Sequence, residues 1–275
     1  MGEGRLFVCG TPIGNLSDVT ERLRQVLGGV DLVYAEDTRR AAKLLSRLGV
    51  EVPVRSLFTG NERGRTEELL DRLAEGLDVA YISDAGMPAI SDPGAWLVRA
   101  ARQAGRPVTV IPGPSAVTTA LLASGFPSDR FVFEGFLPRK GRVRAERLRS
   151  VAADERPTVL FVSPHRFAQD VADLREVLGD DREVAVAREL TKLHEEVWVG
   201  PISEAAGRFG EEVKGEVTIV VSGAPEGHAP DPADAVEEAR RLVAGGMPAS
   251  EAARRVAAER GVPRRFIYQS LIGQD

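Results

Sequence analysis

Four short stretches hold the residues best suited to chemistry: Gly10-Thr11-Pro12-Ile13-Gly14-Asn15, Ala35-Glu36-Asp37-Thr38-Arg39, Ser83-Asp84-Ala85-Gly86-Met87-Pro88 and Pro112-Gly113-Pro114-Ser115-Ala116. Their carboxylates can move a proton. Their hydroxyls, and the backbone N–H groups at a helix start such as Ser115-Ala116, can hold a polar or anionic ligand. Each stretch follows a short apolar run, and open α/β sheets bind ligands beyond the carboxyl ends of their strands. Ser115 taken singly also reads as a plain helix N-cap, and Ser83 to Gly94, with Asp84 and Asp92, as a long capped turn. Glycine, proline and hydrogen-bonding groups recur together at three of the four strand ends, which favours a site over unrelated turns.

The elements that must position these stretches are legible from periodicity. Apolar runs at Leu6 to Cys9, Leu32 to Ala35, Val79 to Ile82 and Val108 to Ile111 alternate with segments of helical spacing at Asp18 to Leu27, Thr38 to Leu48, Thr66 to Leu77 and Ser115 to Leu122. This is the βαβ pattern of an α/β domain with a parallel sheet. Beyond Gly125-Phe126-Pro127, a hinge, strands at Phe131 to Phe133, Val159 to Val162, Val184 to Ala187, Glu195 to Val199 and Val217 to Val221 follow, several with no helix between them. A second, α+β domain with a partly antiparallel sheet is expected. The expected division is 1–123, 124–225 and, past a linker at 224–232, a helical tail over 231–275. In that tail Ala257, Gly261 and Ile267 have helix-turn-helix spacing, although a small helical cap fits equally well. Arg254, Arg255, Arg260, Arg264 and Arg265 incline the tail toward RNA.

At 275 residues and 43% apolar composition the chain can build two cores. Its net charge of −5 argues against a protein that coats nucleic acid over its whole surface, while leaving room for a local basic patch. Cys9 is the sole cysteine, and His165, His194 and His228 lack ligand spacing, so neither a disulfide nor a metal site is expected. The first apolar run is too short for a signal peptide or a membrane span, so cytoplasmic residence without membrane contact is expected. No G-x-x-x-x-G-K-[ST] motif occurs, no G-x-G-x-x-G follows the first strand, and Ser115 lies outside a nucleophile elbow. ATP hydrolysis, dinucleotide binding and serine hydrolysis all lose support.

The densest positive charge lies in Arg139 to Arg149, RKGRVRAERLR, where six basic residues face one acid. A solvated loop and helix face is the ordinary fate of such a run. In an acidic chain it instead suggests phosphate contact, with Phe136 as a nearby stacking surface.

The ordered segments LFVCGTPIGNLSDVTERL, YAEDTRR, SDAGMPAISDPG, VIPGPSA, FEGFLPRKG, SPHR, ARELTKLHEE and GEVTIVVSG resemble the small-subunit ribosomal RNA cytidine 2'-O-methyltransferases of the tetrapyrrole methylase superfamily. The resemblance spans roughly residues 5 to 223, with the tail also similar. It implies a two-domain, class III methyltransferase fold with S-adenosyl-L-methionine in the cleft between domains, plus the small C-terminal helical unit. It implies a homodimer that methylates the ribose of cytidine 1402 in 16S rRNA, in an assembling or assembled small ribosomal subunit. The donor is expected at Asp84, Ala85, Gly86, Met87, Ser115 and Ala116, with adenine contacts from Phe161, Val162, Leu190 and Val217. Candidate bases are Glu36, Asp37, Asp92 and Glu189; Asp37 also reads as an N-cap. Arg39, Arg139, Lys140, Arg142, Arg144 and Arg166 are expected to hold RNA, and Lys192 to be structural. Three departures stand out. Met87 replaces the usual Thr, Val162 the usual Glu before Ser-Pro-His-Arg, and Gly10 the usual Ala. Two rival readings share parts of the pattern. A class III methyltransferase acting on a tetrapyrrole or another small substrate would leave the arginine run unexplained. A non-enzymatic RNA-binding protein would leave the four loops idle.

Overall fold

The computed structural model describes residues 4–210, 213–225, 232–260 and 262–272. The chain forms two compact units. One holds the chain up to Ser124 together with Val186–Trp198 and Gly215–Thr218; the other holds Gly125–Ala185, Val199–Lys214 and the chain from Ile219 onward.

The first 124 residues run β1 (Leu6–Cys9), α1 (Glu21–Gly29), β2 (Leu32–Ala35), α2 (Thr38–Leu48), β3 (Val54–Ser56), α3 (Glu62–Ala74), β4 (Val79–Ile82), α4 (Ala95–Gln103), β5 (Val108–Ile111) and α5 (Ala116–Ser124). The strands form one sheet in the order β3-β2-β4-β1-β5, every pairing parallel. Strand residues alternate between two cores. Leu6, Val8, Leu32, Tyr34, Val79 and Tyr81 meet Leu69 and Leu73 of α3 and Leu97 of α4. Cys9, Val33, Ala35, Ala80, Ile82 and Ile111 meet Leu23 and Leu27 of α1 and Ala41 and Leu45 of α2. Helices on both faces explain why the strands read as unbroken apolar runs. All strands being parallel, the loops after β1, β2, β4 and β5 leave the same edge, which is what gathers the four motifs.

Local chemistry moves several helix ends from their expected places. Thr20 Oγ1 accepts from Leu23 N (3.1 Å) and starts α1 at Glu21 rather than Asp18, while Leu16–Asp18 form a short 3₁₀ turn held by the Asn15 side chain. Helix α3 begins at Glu62, four residues ahead of expectation, and α5 extends to Ser124. Gly49, at φ +67°, closes α2 as expected.

The remaining elements are β6 (Val132–Phe136), α6 (Arg142–Ala153), β7 (Thr158–Val162), α7 (Phe167–Leu178), β8 (Glu183–Arg188), β9 (Glu196–Pro201), α8 (Ile202–Phe209), β10 (Val217–Val221), α9 (Pro232–Ala244), α10 (Ala249–Arg260) and α11 (Arg264–Ile272). The second sheet has the order β6-β7-β10-β8-β9, with β6 and β7 parallel. Backbone bonds Ser222 N→Glu183 O and Glu189 N→Glu216 O join the end of β10 to the start of β8 and the reverse, so this pair is antiparallel. The partly antiparallel second sheet expected from sequence is therefore present. Helices α9, α10 and α11 share a core of Ala235, Ala239, Ala252, Ala253, Val256, Val262 and Ile267. His228, most of the 224–232 linker and Gly261 lie outside the described residues. No described helix is long and apolar enough to cross a membrane.

One ionic knot ties α6 to α7. The buried Arg144 guanidinium donates to Asp170 Oδ1 and Asp173 Oδ2, both at 2.7 Å, and to the Pro138 carbonyl at 2.8 Å. Its side chain and that of Asp170 are each 6% exposed. The expected RNA contact at Arg144 is thus corrected: every arm of the fork is engaged inside the protein. Removing one partner strands the other charge, so Arg144→Ala should lower unfolding free energy by about 3 to 5 kcal/mol. Arg142→Ala, on the exposed face, should change it by less than about 0.5 kcal/mol. Urea titration of both variants measures the difference.

Candidate active site

Three backbone segments meet where side chains are excluded. Thr11 N donates to Gly86 O (2.8 Å) and Gly86 N to Thr11 O (3.1 Å), bridging the loops after β1 and β4. A Cβ on Gly113 would lie 2.8 Å from the Gly10 carbonyl, and one on Gly10 would lie 2.8 Å from Gly113 N, so the loops after β1 and β5 touch through backbone. Gly86 itself sits at φ +71°.

Carboxylates then tie the β2 loop to the β4 loop. Asp84 Oδ1 accepts from Asp37 N (3.0 Å), Asp84 Oδ2 lies 3.4 Å from the Arg40 guanidinium, and the Glu36 carboxylate accepts from the Asp84 backbone N–H. Beyond Met87 the chain takes a cramped path, with Ala89 at φ +69°, Ser91 at +63° and Gly94 at +122°. Such strain persists only when surroundings impose it. Here Tyr81 Oη donates to Pro93 O (3.0 Å), Gly94 N donates to Glu62 Oε1 (2.9 Å), and Gly94 lies against the Tyr81 ring. Ser83 Oγ is in reach of both the Ala85 carbonyl (3.2 Å) and the Asp92 carboxylate. Ser83 was expected in this loop, and Arg40 and Tyr81 belong to the constellation although sequence reasoning passed over them. Arg40 was hidden by the Asp37-Thr38-Arg39 motif before it, and Tyr81 by its ordinary place in a strand.

The four candidate bases divide by environment. Burial, then the nearby Asp92 and Asp84 charges, raises the Glu36 carboxyl. Burial first, then Asp84, raises Asp92 against the lowering hydrogen bond from Ser83. Asp37 is a correction. Its carboxylate caps α2 through Arg39 N (2.8 Å) and pairs with the Arg39 guanidinium, and these bonds hold its pKa well below the carboxylate range. A carboxylate so held is a poor proton acceptor. Glu189 is likewise lowered, chiefly by Lys192 Nζ at 2.7 Å, and it accepts from Glu216 N. It braces the chain together with Lys192, the structural role expected of that lysine. Burial pushes the Cys9 thiol up to about 12, which leaves it inert.

Of the residues expected to hold the donor, Asp84, Ala85, Gly86 and Met87 lie in the β4 loop, and Ser115 and Ala116 follow Gly113 at the start of α5. Phe161 stands in the second unit in a cluster with Phe133 and Phe136, centroids 5.1 and 5.6 Å away. Val162, Leu190 and Val217 are buried. Among the expected RNA contacts, Arg139 and Lys140 are exposed, and Arg142 lies 3.3 Å from Glu146. Arg166 donates to Arg139 O and faces Asp170 at 3.4 Å, and Arg39 is joined to Asp37.

Two sequence departures prove to be one. A Cβ on Gly10 would also lie 2.5 Å from Met87 Sδ, so the larger residue at 87 fills the space that the smaller one at 10 leaves. Gly10→Ala alone should cost about 1 to 3 kcal/mol through overpacking. Adding Met87→Thr should recover part of that, a coupling of about 0.5 kcal/mol or more in a double-mutant cycle followed by denaturant unfolding. Strict additivity would mean that the two positions are independent.

Residues 5–206 match the family described as Tetrapyrrole (Corrin/Porphyrin) Methylases. A protein of Synechocystis sp. named "Ribosomal RNA small subunit methyltransferase I" is 45% identical over 269 residues, 97% of this chain and 96% of that protein. A protein of the same name from Thermotoga maritima is 48% identical over 221 residues, covering 80% of this chain and 99% of itself. Among solved structures, the methyltransferase CobJ superposes with a TM-score of 0.63 at 22% identity, covering 80% of this chain and 95% of its own. The uroporphyrin-III-C-methyltransferase of Thermus thermophilus does so with a TM-score of 0.59 at 21% identity, over 80% and 94%. These two likenesses concern the fold, and they agree with the class III methyltransferase architecture. With the gathered loops on one edge of a parallel sheet and a match over most of its length, the chain belongs to the tetrapyrrole (corrin/porphyrin) methylase family.

Proposed function

We propose that this protein transfers a methyl group from S-adenosyl-L-methionine to the ribose 2'-oxygen of cytidine 1402 in 16S rRNA, acting in the cytoplasm as a homodimer on an assembling or assembled small subunit. The near full-length match to relatives that bear the name "Ribosomal RNA small subunit methyltransferase I" carries this reading.

The residues present fit the donor. Thr11 Oγ1 is buried without a hydrogen-bond partner, a need that a bound polar group can meet. Gly10, Gly86 and Gly113 let the loops close around that position, and the Glu36 and Asp84 carboxylates suit a cationic ligand. Asp84, Ala85, Gly86, Met87, Ser115 and Ala116 are proposed to hold it, with Phe161, Val162, Leu190 and Val217 toward the adenine. When bound, the donor supplies an electrophilic methyl group on sulfur. The protein's task is to align the ribose oxygen, and such positioning can supply about 7 to 11 kcal/mol.

Asp92 is proposed as the base that takes the 2'-hydroxyl proton. Glu36 holds the Asp84 backbone N–H, whereas Asp92 receives only a shared serine proton and rides on the strained segment. A burial-raised carboxyl accepts a proton only once ionised, so turnover should climb with pH through that raised pKa. Asp92→Asn should lower turnover roughly 10² to 10⁴-fold and abolish this limb, while the thermal shift produced by S-adenosyl-L-methionine persists. Persistence of the limb in Asp92→Asn would transfer the role to Glu36. Modified-nucleoside mapping of 16S rRNA from a strain lacking the gene should find cytidine 1402 without its ribose methyl. Methylation assays on naked rRNA and on assembled 30S particles identify the substrate form, with equal rates ruling out a particle requirement.

A further inference from the structure

Only part of the positive charge in the 139–149 run is available to RNA: Arg139 and Lys140 are exposed, but the rest is engaged within the protein. In the 139–149 run, Arg144 is locked by Asp170 and Asp173, Arg147 bonds Glu134 at 2.5 Å, and Arg142 lies near Glu146. Helix α2, TRRAAKLLSRL, instead carries four cations and no acid. Arg40, Lys43 and Arg47 fall at i, i+3 and i+7, hence on one face. All three are exposed, and they line a single cleft of about 380 Å³ together with Leu16, Ala41, Leu44, Ile82, Ser83 and Asp84. Lys43 and Arg47 have no carboxylate partner among the described residues, and Arg40 alone is steadied, by Asp84 at 3.4 Å.

Two features set this row apart from an ordinary solvated helix face. Arg40 occupies the first turn, where the helix dipole disfavours cations, and its carboxylate partner is Asp84 of the β4 loop, α2 itself carrying no acid. The cleft also begins at Asp84, within the candidate active site, and its floor of Ala41, Leu44 and Ile82 is apolar. A cationic row above an apolar floor suits a polymer with regularly spaced phosphates and flat, weakly polar bases. The row rises about 10 Å along the helix axis, room for consecutive backbone phosphates.

We propose that the α2 cleft is the RNA track leading to the active site: Arg40, Lys43 and Arg47 hold phosphates of the strand that bears the target nucleotide, and the Leu44 floor receives an adjacent base or ribose. This deepens, and rests on, the RNA substrate proposed above. A single-stranded RNA gains a salt slope of about 0.7 per phosphate neutralised.

The test compares wild type with Lys43→Ala/Arg47→Ala, and with Arg99→Ala as a control on the opposite face of the sheet, for binding of fluorescein-labelled single-stranded RNA across a KCl series. The S-adenosyl-L-methionine thermal shift is measured alongside. The double variant should lose about 1.4 from the log–log salt slope and show a raised KM for RNA with kcat little changed. Arg99→Ala should keep the full slope, and all three proteins should show the same donor shift. An unchanged slope in the double variant overturns the track while leaving the RNA substrate intact. A wild type with no salt-dependent RNA binding overturns both. Binding of polyglutamate with the same slope and the same loss overturns RNA in favour of an acidic protein partner.

Discussion

The close approach of backbone at Gly10, Gly113 and Gly86 is the constraint on which the site depends. A parallel sheet delivers the loops after β1, β4 and β5 to one edge but does not by itself press them together. Contact of the Gly10 and Gly113 main chains, and the paired bonds between Thr11 and Gly86, does so. Side chains larger than those present would push the loops apart. Gly10, Thr11 and Gly86 are buried, and their N–H groups are spent on Ile111 O, Gly86 O and Thr11 O, so the junction acts by fixing the loops that carry the carboxylates.

Around this junction identical side-chain chemistry is sorted by environment. Four carboxylates were candidates in the sequence, Glu189 behind the other three. Asp37 and Glu189 gained cationic partners and lost basicity; Glu36 and Asp92 were placed near other acids with partial burial and gained it. The sorting follows from the fold, since Asp37 sits where α2 needs a cap and Glu189 where the chain must be held against Glu216. Divergent environments of this kind separate proton-accepting from structural carboxylates.

The first sheet was legible because strands covered on both faces are continuously apolar, and because alternation with helical spacing has few other solutions. Strand β3 escaped, as three residues with alternating Val54, Arg55 and Ser56 give no periodic signal. The starts of α1 and α3 shifted because Thr20 caps α1 through a local hydrogen bond and Glu62, at the start of α3, accepts from Gly94 N across 32 residues, neither of which an apolar pattern contains. The gathering of the site loops was readable from their positions after strands. The fate of individual charges was not. Arg144 finds Asp170 and Asp173 across 26 and 29 residues of sequence, and Arg147 finds Glu134 across 13. Only tertiary packing creates those pairs, so counting arginines along a run measures charge density without measuring free charge.

The tail follows a different logic from the sheets. Its helices α9, α10 and α11 close on a core rich in alanine, with Ala235, Ala239, Ala252 and Ala253 all fully buried. Small residues let helix axes approach closely, and dispersion between well-packed backbones then compensates for the modest apolar area that each side chain removes from water. A module cored by its own residues can be gained or lost without opening either sheet. The Thermotoga maritima relative fits this physical separability: matched over 99% of its own length, it corresponds to only four-fifths of this chain. The family match likewise ends at residue 206, ahead of α9. The four loops, their carboxylates and the α2 cleft precede residue 206, and Val217 precedes α9, so the chemistry proposed for them draws on no residue of the tail. The exposed Arg264, Arg265, Phe266 and Tyr268 on α11 then make up a surface under constraints separate from those that fix the catalytic unit.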